Sequence, residues 1–332
     1  MIGLLGASGK IGLEVRKALM FLDPDIQIKC GCRRVPENVE GNWKQTDVNN
    51  EESFREFITD CDLLINASGM TIKQKTDIPV VEIGDDEYYR TVKYDGTSLI
   101  YGCGAVPGII GIIPRILAKD FDSVQSIRVD YLINEPITET AALDMASSFS
   151  ITGNNTAVFK TEPEKIPFLC ETAYRYRFAD EESKGIDKIL GVKESEWSMV
   201  RESDEFEQLL SKSYSSTEEF VGQLCKLSKV KQLGRENSIG FITELKGTED
   251  GKGKSVLCYA HSPLPHEVSA KSCASVAYAL YKEKITGGVY RMSLCPECKE
   301  IWETFEKLSP FDTFITYPCS IADMETEEEG EL

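Results

Sequence analysis

The residues best suited to chemistry stand near the start of the chain. Gly6-Ala7-Ser8-Gly9-Lys10-Ile11-Gly12 follows directly on the apolar run 2–5. A diphosphate needs backbone N–H groups pointed at it and no side chain in the way. Gly6 permits a sharp exit from a strand, Gly9 lets the chain approach phosphates, and Gly12 lets the next helix pack closely on the strand. Ser8, Lys10 and Ile11 complete the turn, where a helix N-terminus adds partial positive charge and unpaired donors. A glycine string of this kind is weak evidence by itself. Its context, with a strand before it and an amphipathic helix behind it, makes it a dinucleotide cradle.

The second strand decides which dinucleotide. It ends Gly31-Cys32-Arg33-Arg34, with no carboxylate before Glu37. An enzyme that uses NAD places Asp or Glu there, to accept from the ribose 2′-OH. A guanidinium is a planar, multiple donor that suits a 2′-phosphate instead. The reading is therefore NADP(H), with NAD(H) open as the alternative and a solvated loop as the bland account of the two arginines. Asp47 and Val48, after the third strand, are expected near the adenine edge. Asn66, Ala67, Ser68 and Gly69, after the fourth, are expected to border the ribose and nicotinamide.

Other groups offer acid–base and anion chemistry. His261 and His266 flank Ser262-Pro263-Leu264-Pro265, and a histidine such as His261 can protonate a reduced carbonyl or imine at neutral pH. The competing account is an exposed loop histidine or a helix-cap contact. Tyr259 and Tyr101 are alternative proton donors or core aromatics. Arg175 and Arg177 alternate with Tyr174 and Tyr176, and could bind a substrate carboxylate or simply face solvent. Cys295-Pro296-Glu297-Cys298 is a C-x-x-C at a helix start, but no second ligand pair stands at zinc spacing, so no metal is assigned. A redox dithiol is conceivable because a helix N-terminus lowers a thiol pKa; buried structural thiols are the simpler account. The stretch 250–253 lacks a P-loop Lys-Ser/Thr, and the Asn154-Asn155-Thr156 pattern means nothing in a chain that is not exported.

These groups must be held by a scaffold. Over the first hundred residues, apolar strands at 2–5, 26–32, 63–65, 80–83 and 99–103 alternate with helices at 12–22 and 50–59. Strands apolar throughout, separated by helices, imply a parallel sheet covered on both faces. A helix over 109–119 leads to a different texture. A strand over 124–133, a helix over 140–151, one or two helices over 205–230 and a hairpin over 239–246 and 254–261 predict a mostly antiparallel sheet with helices on one face. Helices over 267–281 and 297–308 follow, then an acidic tail. The fold class is α/β: an N-terminal Rossmann parallel sheet plus an α+β catalytic lobe.

Composition sets the limits. The chain has 332 residues, 37 Lys and Arg against 55 Asp and Glu, and a formal charge of −18. That field repels phosphate backbones and anionic lipid, which argues against nucleic-acid and membrane partners. No apolar run reaches the roughly 18 residues a span needs. Met1 runs straight into Ile2-Gly3-Leu4 without a charged leader, and the 11 scattered cysteines read as reduced thiols; the expected compartment is the cytoplasm.

With these residues in place, the chain resembles the saccharopine dehydrogenase-like NAD(P)-binding oxidoreductases. Beyond the cradle, Cys61-Asp62-Leu63-Leu64-Ile65-Asn66-Ala67-Ser68-Gly69 is similar to that family's D-x-V-(I/V)-N-x-x-G stretch. Gly102-Cys103-Gly104-Ala105-Val106-Pro107-Gly108 is similar to its G-x-x-P-G element. The hairpin about Asp250-Gly251, the helix at 269–281 and Ile285-Thr286-Gly287-Gly288-Val289 follow the family's order. The match is dense over 2–115 and diffuse beyond. The resemblance implies that Gly104, Pro107 and Gly108 border the cofactor. It also implies a Rossmann domain over 1–120, a catalytic lobe over 121–265, helices over 266–320 that complete the first domain, and a tail over 321–332. Val106 stands where many members carry Asp, which argues against a literal saccharopine dehydrogenase. The implied activity is hydride transfer to or from a small C=N, C=O or activated C=C substrate, free or peptide-linked, with an imine preferred and a homodimer as the family habit. Two alternatives stand beside it: a non-catalytic NADP(H)-binding regulator, and a non-redox enzyme with tightly held cofactor.

Overall fold

A computed structural model describes residues 1–85, 88–89, 97–148, 159–210, 212 and 214–324. The chain forms two compact units, Met1–Ile112 with His266–Pro310, and Ile113–Pro265 with Phe311–Leu332.

The first unit is built on strands β1 (Ile2–Leu5), β2 (Ile28–Cys32), β3 (Asn42–Gln45), β4 (Leu63–Asn66), β5 (Val80–Glu82) and β6 (Leu99–Tyr101). A late strand, Val289–Arg291, joins β6 to complete seven described strands, all paired in parallel. In order from one edge they run Val289–Arg291, β6, β5, β4, β1, β2, β3. Ile2 stands opposite Ile28 on one side and Leu63 on the other, so β1 is where the order reverses. Parallel strands covered on both faces must be apolar without alternation; β1, β4 and β5 are buried at every residue.

Helix α1 (Lys10–Leu22) buries Gly12, Val15, Ala18 and Leu19 against that sheet. Helix α2 (Glu51–Ile58) starts where the Asn50 side chain accepts from Ser53 N at 2.9 Å, satisfying one orphan donor of the first turn. Its Phe54 and Phe57 are fully enclosed with Leu5, Leu64 and Val80. Each ring so buried stabilises the unit by about 1.5–3 kcal/mol relative to exposure.

The second unit contains β7 (Ser123–Asn134), β8 (Phe159–Lys160), β9 (Glu164–Ile166), β10 (Cys170–Phe178), β11 (Glu194–Arg201), β12 (Ser238–Glu249), β13 (Lys252–Ser262) and the strand Thr313–Tyr317. Their order is Thr313–Tyr317, β13, β12, β7, β11, β10, β8, with β9 on β10. Among the described residues only β7 and β11 pair in parallel; the other pairs are antiparallel. Side chains alternate across the sheet. Tyr176 and Met199 enter a core with Ala142, Phe206, Phe220 and Leu224 from the helices Glu139–Ser148, Glu205–Leu210 and Thr217–Gln232. Ala173, Val200, Leu132 and Ile242 occupy the opposite face with Ile166 and Ile321.

The structure corrects several expectations. The stretch 247–253 is not a loop: β12 and β13 pair to Glu249 and Lys252, leaving Asp250 and Gly251 as the turn at φ +50° and +71°. Two residues with positive φ match the strand twist and make a tight hairpin. Of the two forms expected for 205–230 the chain adopts two helices, the second capped by Ser216, whose side chain accepts from Glu219 N. Residues 311–320 group with the second unit, because Thr313–Tyr317 hydrogen-bonds to β13. The Asn154-Asn155-Thr156 pattern, the end of the 140–151 helix and residues 325–332 of the tail lie outside the described residues. No helix among those described is long and apolar enough to cross a membrane.

Candidate functional site

The cradle is shaped by what its glycines exclude. Gly6 leaves β1 at φ +74°, and a Cβ on it would stand 2.4 Å from the Ala67 carbonyl oxygen. A Cβ on Gly12 would lie 2.2 Å from the Gly6 carbonyl oxygen, so α1 can approach the turn only without a side chain there. Gly9 is the N-cap of α1, where no side chain caps the helix and no acidic residue sits in the first turn. Its N–H donates to Gly6 O at 2.9 Å, closing the turn. This helix end is therefore left to accept an anion from outside.

Gly6, Ser8 and Gly9 open onto a cavity of about 570 Å³. Arg33, Arg34, Asp47, Val48, Ala67 and Ser68 share its lining, so nine of the residues singled out in the sequence meet at one place. Lys10, Ile11 and Gly12 are not in that lining; Gly12 is buried behind the turn. The lining also includes Leu5, Gly31, Cys32, Thr46, Asn49 and Met70, none of which the sequence reading assigned to the cofactor. Strand ends adjacent to the cradle supply them, and β3 carried no apolar signal that would have located Thr46.

Arg33 and Arg34 are exposed, and neither forms an ion pair with a described residue. Arg33 also borders a second cavity with Gln45, Thr46, Asp47, Asn50 and Ser53. Asp47 is the one acidic group in either lining, and its Oδ1 accepts from Asn49 N at 2.9 Å in a local turn. Two cations against one carboxylate leave the wall net positive.

Asn66 departs from its expected role. It is fully buried and absent from the cavity lining. Its Oδ1 accepts from Ser68 N at 3.1 Å and Ser68 Oγ at 2.6 Å, while its Nδ2 donates to Met70 O and to Glu82 Oε2. It braces the loop that carries Ser68. Glu82, buried at the end of β5, accepts in addition from the Tyr89 hydroxyl at 2.7 Å and from Gly84 N at 3.0 Å. Burial, followed by the Glu82 charge, drives the Tyr89 hydroxyl far above its usual range. A lone Glu in an apolar strand gave no sequence signal for this brace.

Gly104, Pro107 and Gly108 are likewise outside the cavity lining. Gly108 has φ +124°, and a Cβ on it would lie 2.3 Å from Gly104 O. Gly104 O accepts from Ile109 N and from Ser272 Oγ at 2.8 Å, so the turn is fastened to the helix Pro265–Tyr281. Gly69, at φ +72°, also lies outside the lining.

Two of the three candidate proton donors fall together. Tyr259 and His261 share one face of β13 with ring centroids 6.2 Å apart. His261 Nδ1 lies 2.9 Å from Asp312 Oδ1, a partner the sequence did not suggest because 51 residues separate them. A carboxylate on Nδ1 orients the ring and fixes which nitrogen is left to exchange a proton. Burial, then Asp312, raises the Tyr259 hydroxyl above its usual value. Tyr101 belongs to the first unit, where the Arg291 guanidinium lies 5.7 Å from its ring.

Arg175 is committed elsewhere. It is 2% exposed, with Nε on Asp130 Oδ1 at 2.7 Å and Nη1 on Glu196 Oε2 at 2.9 Å. Carboxylates of the chain hold its Nε and Nη1, while its buried Nη2 has no hydrogen-bond partner. Arg177 pairs with Glu196 at 3.0 Å and is half exposed. Cys295 and Cys298 are both buried, and burial pushes the Cys295 thiol up to about 11, the opposite of an activated dithiol. Among the described residues no group of three or more His, Cys, Asp or Glu could hold a metal ion.

No protein-family model matches the chain, and no curated protein sequence matches it. Solved structures do. A Corynebacterium glutamicum DAP dehydrogenase in complex with DAP is 11% identical over 98% of both chains, with a TM-score of 0.49. An engineered D-amino acid dehydrogenase bound to NADP+ is 12% identical over 98% of both, at 0.47. A myo-inositol dehydrogenase from Corynebacterium glutamicum is 12% identical over 93% of this chain and 94% of its own, at 0.36. At this distance, what those proteins bind remains a property of those proteins.

Proposed function

We propose that the chain is an NADP(H)-dependent oxidoreductase whose first unit holds the dinucleotide in the cavity at the N-terminus of α1. The observation that carries the reading is the pair of exposed, carboxylate-free guanidiniums, Arg33 and Arg34, on the wall of a glycine cradle. Gly6, Ser8, Gly9 and the uncapped helix end suit a diphosphate. Ala67 and Ser68, held by Asn66 and Glu82, complete the opposite wall. Bound there, the nicotinamide would supply or accept the hydride.

Within that reading, His261 oriented by Asp312 is the proton donor, with Tyr259 beside it and Tyr101 as the alternative. The substrate is a small or peptide-linked molecule with a C=N, C=O or activated C=C group. The preference for an imine, the saccharopine dehydrogenase-like subtype and a homodimer rest on the sequence elements alone; a cytoplasmic location rests on composition.

The decisive experiment is calorimetric titration with NADPH and NADH, on the parent and on Gly9→Asp. Asp is a favourable N-cap, so the helix should survive with an unchanged far-UV spectrum. Its carboxylate would then occupy the anion position, and NADPH affinity should fall at least about a hundredfold, or roughly 2.7 kcal/mol. Binding of neither nucleotide by the parent, or equal affinity in the variant, would overturn the assignment.

A further inference from the structure

The second unit holds a cavity that dinucleotide binding does not use. Its volume is about 310 Å³, and its walls come from the ends of β7 and β11 and from the helices Glu205–Leu210 and Thr217–Gln232. β7 and β11 run parallel, so both chains leave the sheet at the same end. A crevice outside the carboxyl ends of parallel strands is where open sheets accept ligands. Ile137, Phe206, Leu224 and Leu227 give it an apolar body, of a size at the lower end for small-molecule sites.

Arg201 closes β11 and lines this cavity. Strand alternation puts it on the helix-covered face with Met199. Nη1 donates to Ile133 O at 3.0 Å and Nη2 to Met199 Sδ at 3.1 Å, with the Phe206 ring 5.8 Å from Cζ. A guanidinium has five N–H donors, so three are left over. No carboxylate among the described residues lies within ion-pair distance of it, and burial lowers its pKa, opposed only by Tyr131 and Tyr176. The other two cations of the wall are already matched, Lys231 with Glu205 and Arg235 with Glu202. A partly buried charge without a counterion is costly, and a ligand that brings one relieves that cost.

We infer that this cavity binds a small monocarboxylate with an apolar body. The carboxylate sits on Arg201, and the body lies against Phe206, Leu224 and Leu227. A planar guanidinium suits a carboxylate. Glu135, Glu202 and Glu205 at the same wall disfavour a multiply charged anion such as phosphate. Every lining residue belongs to the second unit, so the inference does not depend on the first unit binding a dinucleotide.

The test is calorimetric titration of the full chain with hexanoate, hexanamide, hexylamine, acetate and inorganic phosphate. Hexanoate should bind saturably, and each of the others at least about tenfold more weakly. Arg201→Met keeps the apolar stem and removes the charge, and should abolish hexanoate binding. Leu227→Trp fills the cavity and leaves the charge in place, so it decides the matter if Arg201→Met does not fold. NADPH titrated into the same samples should bind as in the parent, which separates failure here from failure of the cradle. No hexanoate binding by the parent, equal binding of hexanamide, stronger binding of phosphate, or hexanoate binding that survives in a folded variant would each overturn the inference.

Discussion

Two pairs of arginines show how position in a sheet decides what a cation can do. Arg33 and Arg34 follow the end of a parallel strand, exposed on a cavity wall with no described carboxylate paired to them. Arg175 and Arg177 lie within β10, where Arg175 is 2% exposed and held by Asp130 and Glu196. A guanidinium at a strand end keeps its donors for a ligand, because the backbone has left the sheet and nothing packs over it. One inside a sheet is desolvated, and persists only where the chain supplies its counterions. Residue type alone does not separate the two pairs; whether the residue lies within the paired strand or beyond it does.

The comparison is most exposed at Asp130. This carboxylate is fully buried and accepts from Arg175 Nε and Arg128 Nε, both at 2.7 Å. Asp130→Ala leaves the Arg175 guanidinium buried with Glu196 as its remaining close partner. Unfolding in urea should show a loss of about 3–5 kcal/mol, the range for breaking a buried pair from one side. Replacing both, as Asp130→Leu with Arg175→Met, should cost far less than the single change, because no uncompensated charge remains. Equal losses in the single and double variants would mean that packing, and not charge, holds this part of the sheet.

The strand-end pair is tested by charge reversal. Arg33→Glu with Arg34→Glu should leave thermal stability unchanged, since neither side chain has an ion pair to lose. It should weaken NADPH by more than about tenfold, or 1.4 kcal/mol, and NADH by much less. Equal losses for the two nucleotides would remove the 2′-phosphate from the account while leaving the cradle intact.

Legibility in the sequence followed the same division. The cradle could be read because its demands are local: Gly6, Gly9 and Gly12 serve one turn, and Arg33 and Arg34 follow the end of the neighbouring strand within thirty residues. The apolar runs that became β1, β4 and β5 were equally plain, because a strand buried on both faces leaves no polar gaps. The second unit was less legible. β11 joins β7 across some sixty residues, and the partners of Arg175 and His261 come from strands and turns far along the chain. Asn66 shows the limit even within the cradle. Its position after β4 was right, but whether its amide faces a ligand or a buried Glu82 depends on a strand sixteen residues away.

The smallest effect should come from Arg177. Its Nη2 meets Glu196 Oε1 at 3.0 Å, but the two side chains are 43% and 40% exposed, so water screens the pair. Arg177→Gln should therefore shift the urea-unfolding free energy by no more than about 0.5–1 kcal/mol, the upper range for exposed pairs. The position still has a buried part, since Arg177 Nε and, directly across the strands, Ser198 Oγ lack a protein hydrogen-bond partner. The glutamine amide can replace the lost donor at that buried part. A loss near that of Asp130→Ala would mean instead that Arg177 belongs to the enclosed network, and the boundary between sealed and open arginines would have to be moved one residue pair toward the strand's end.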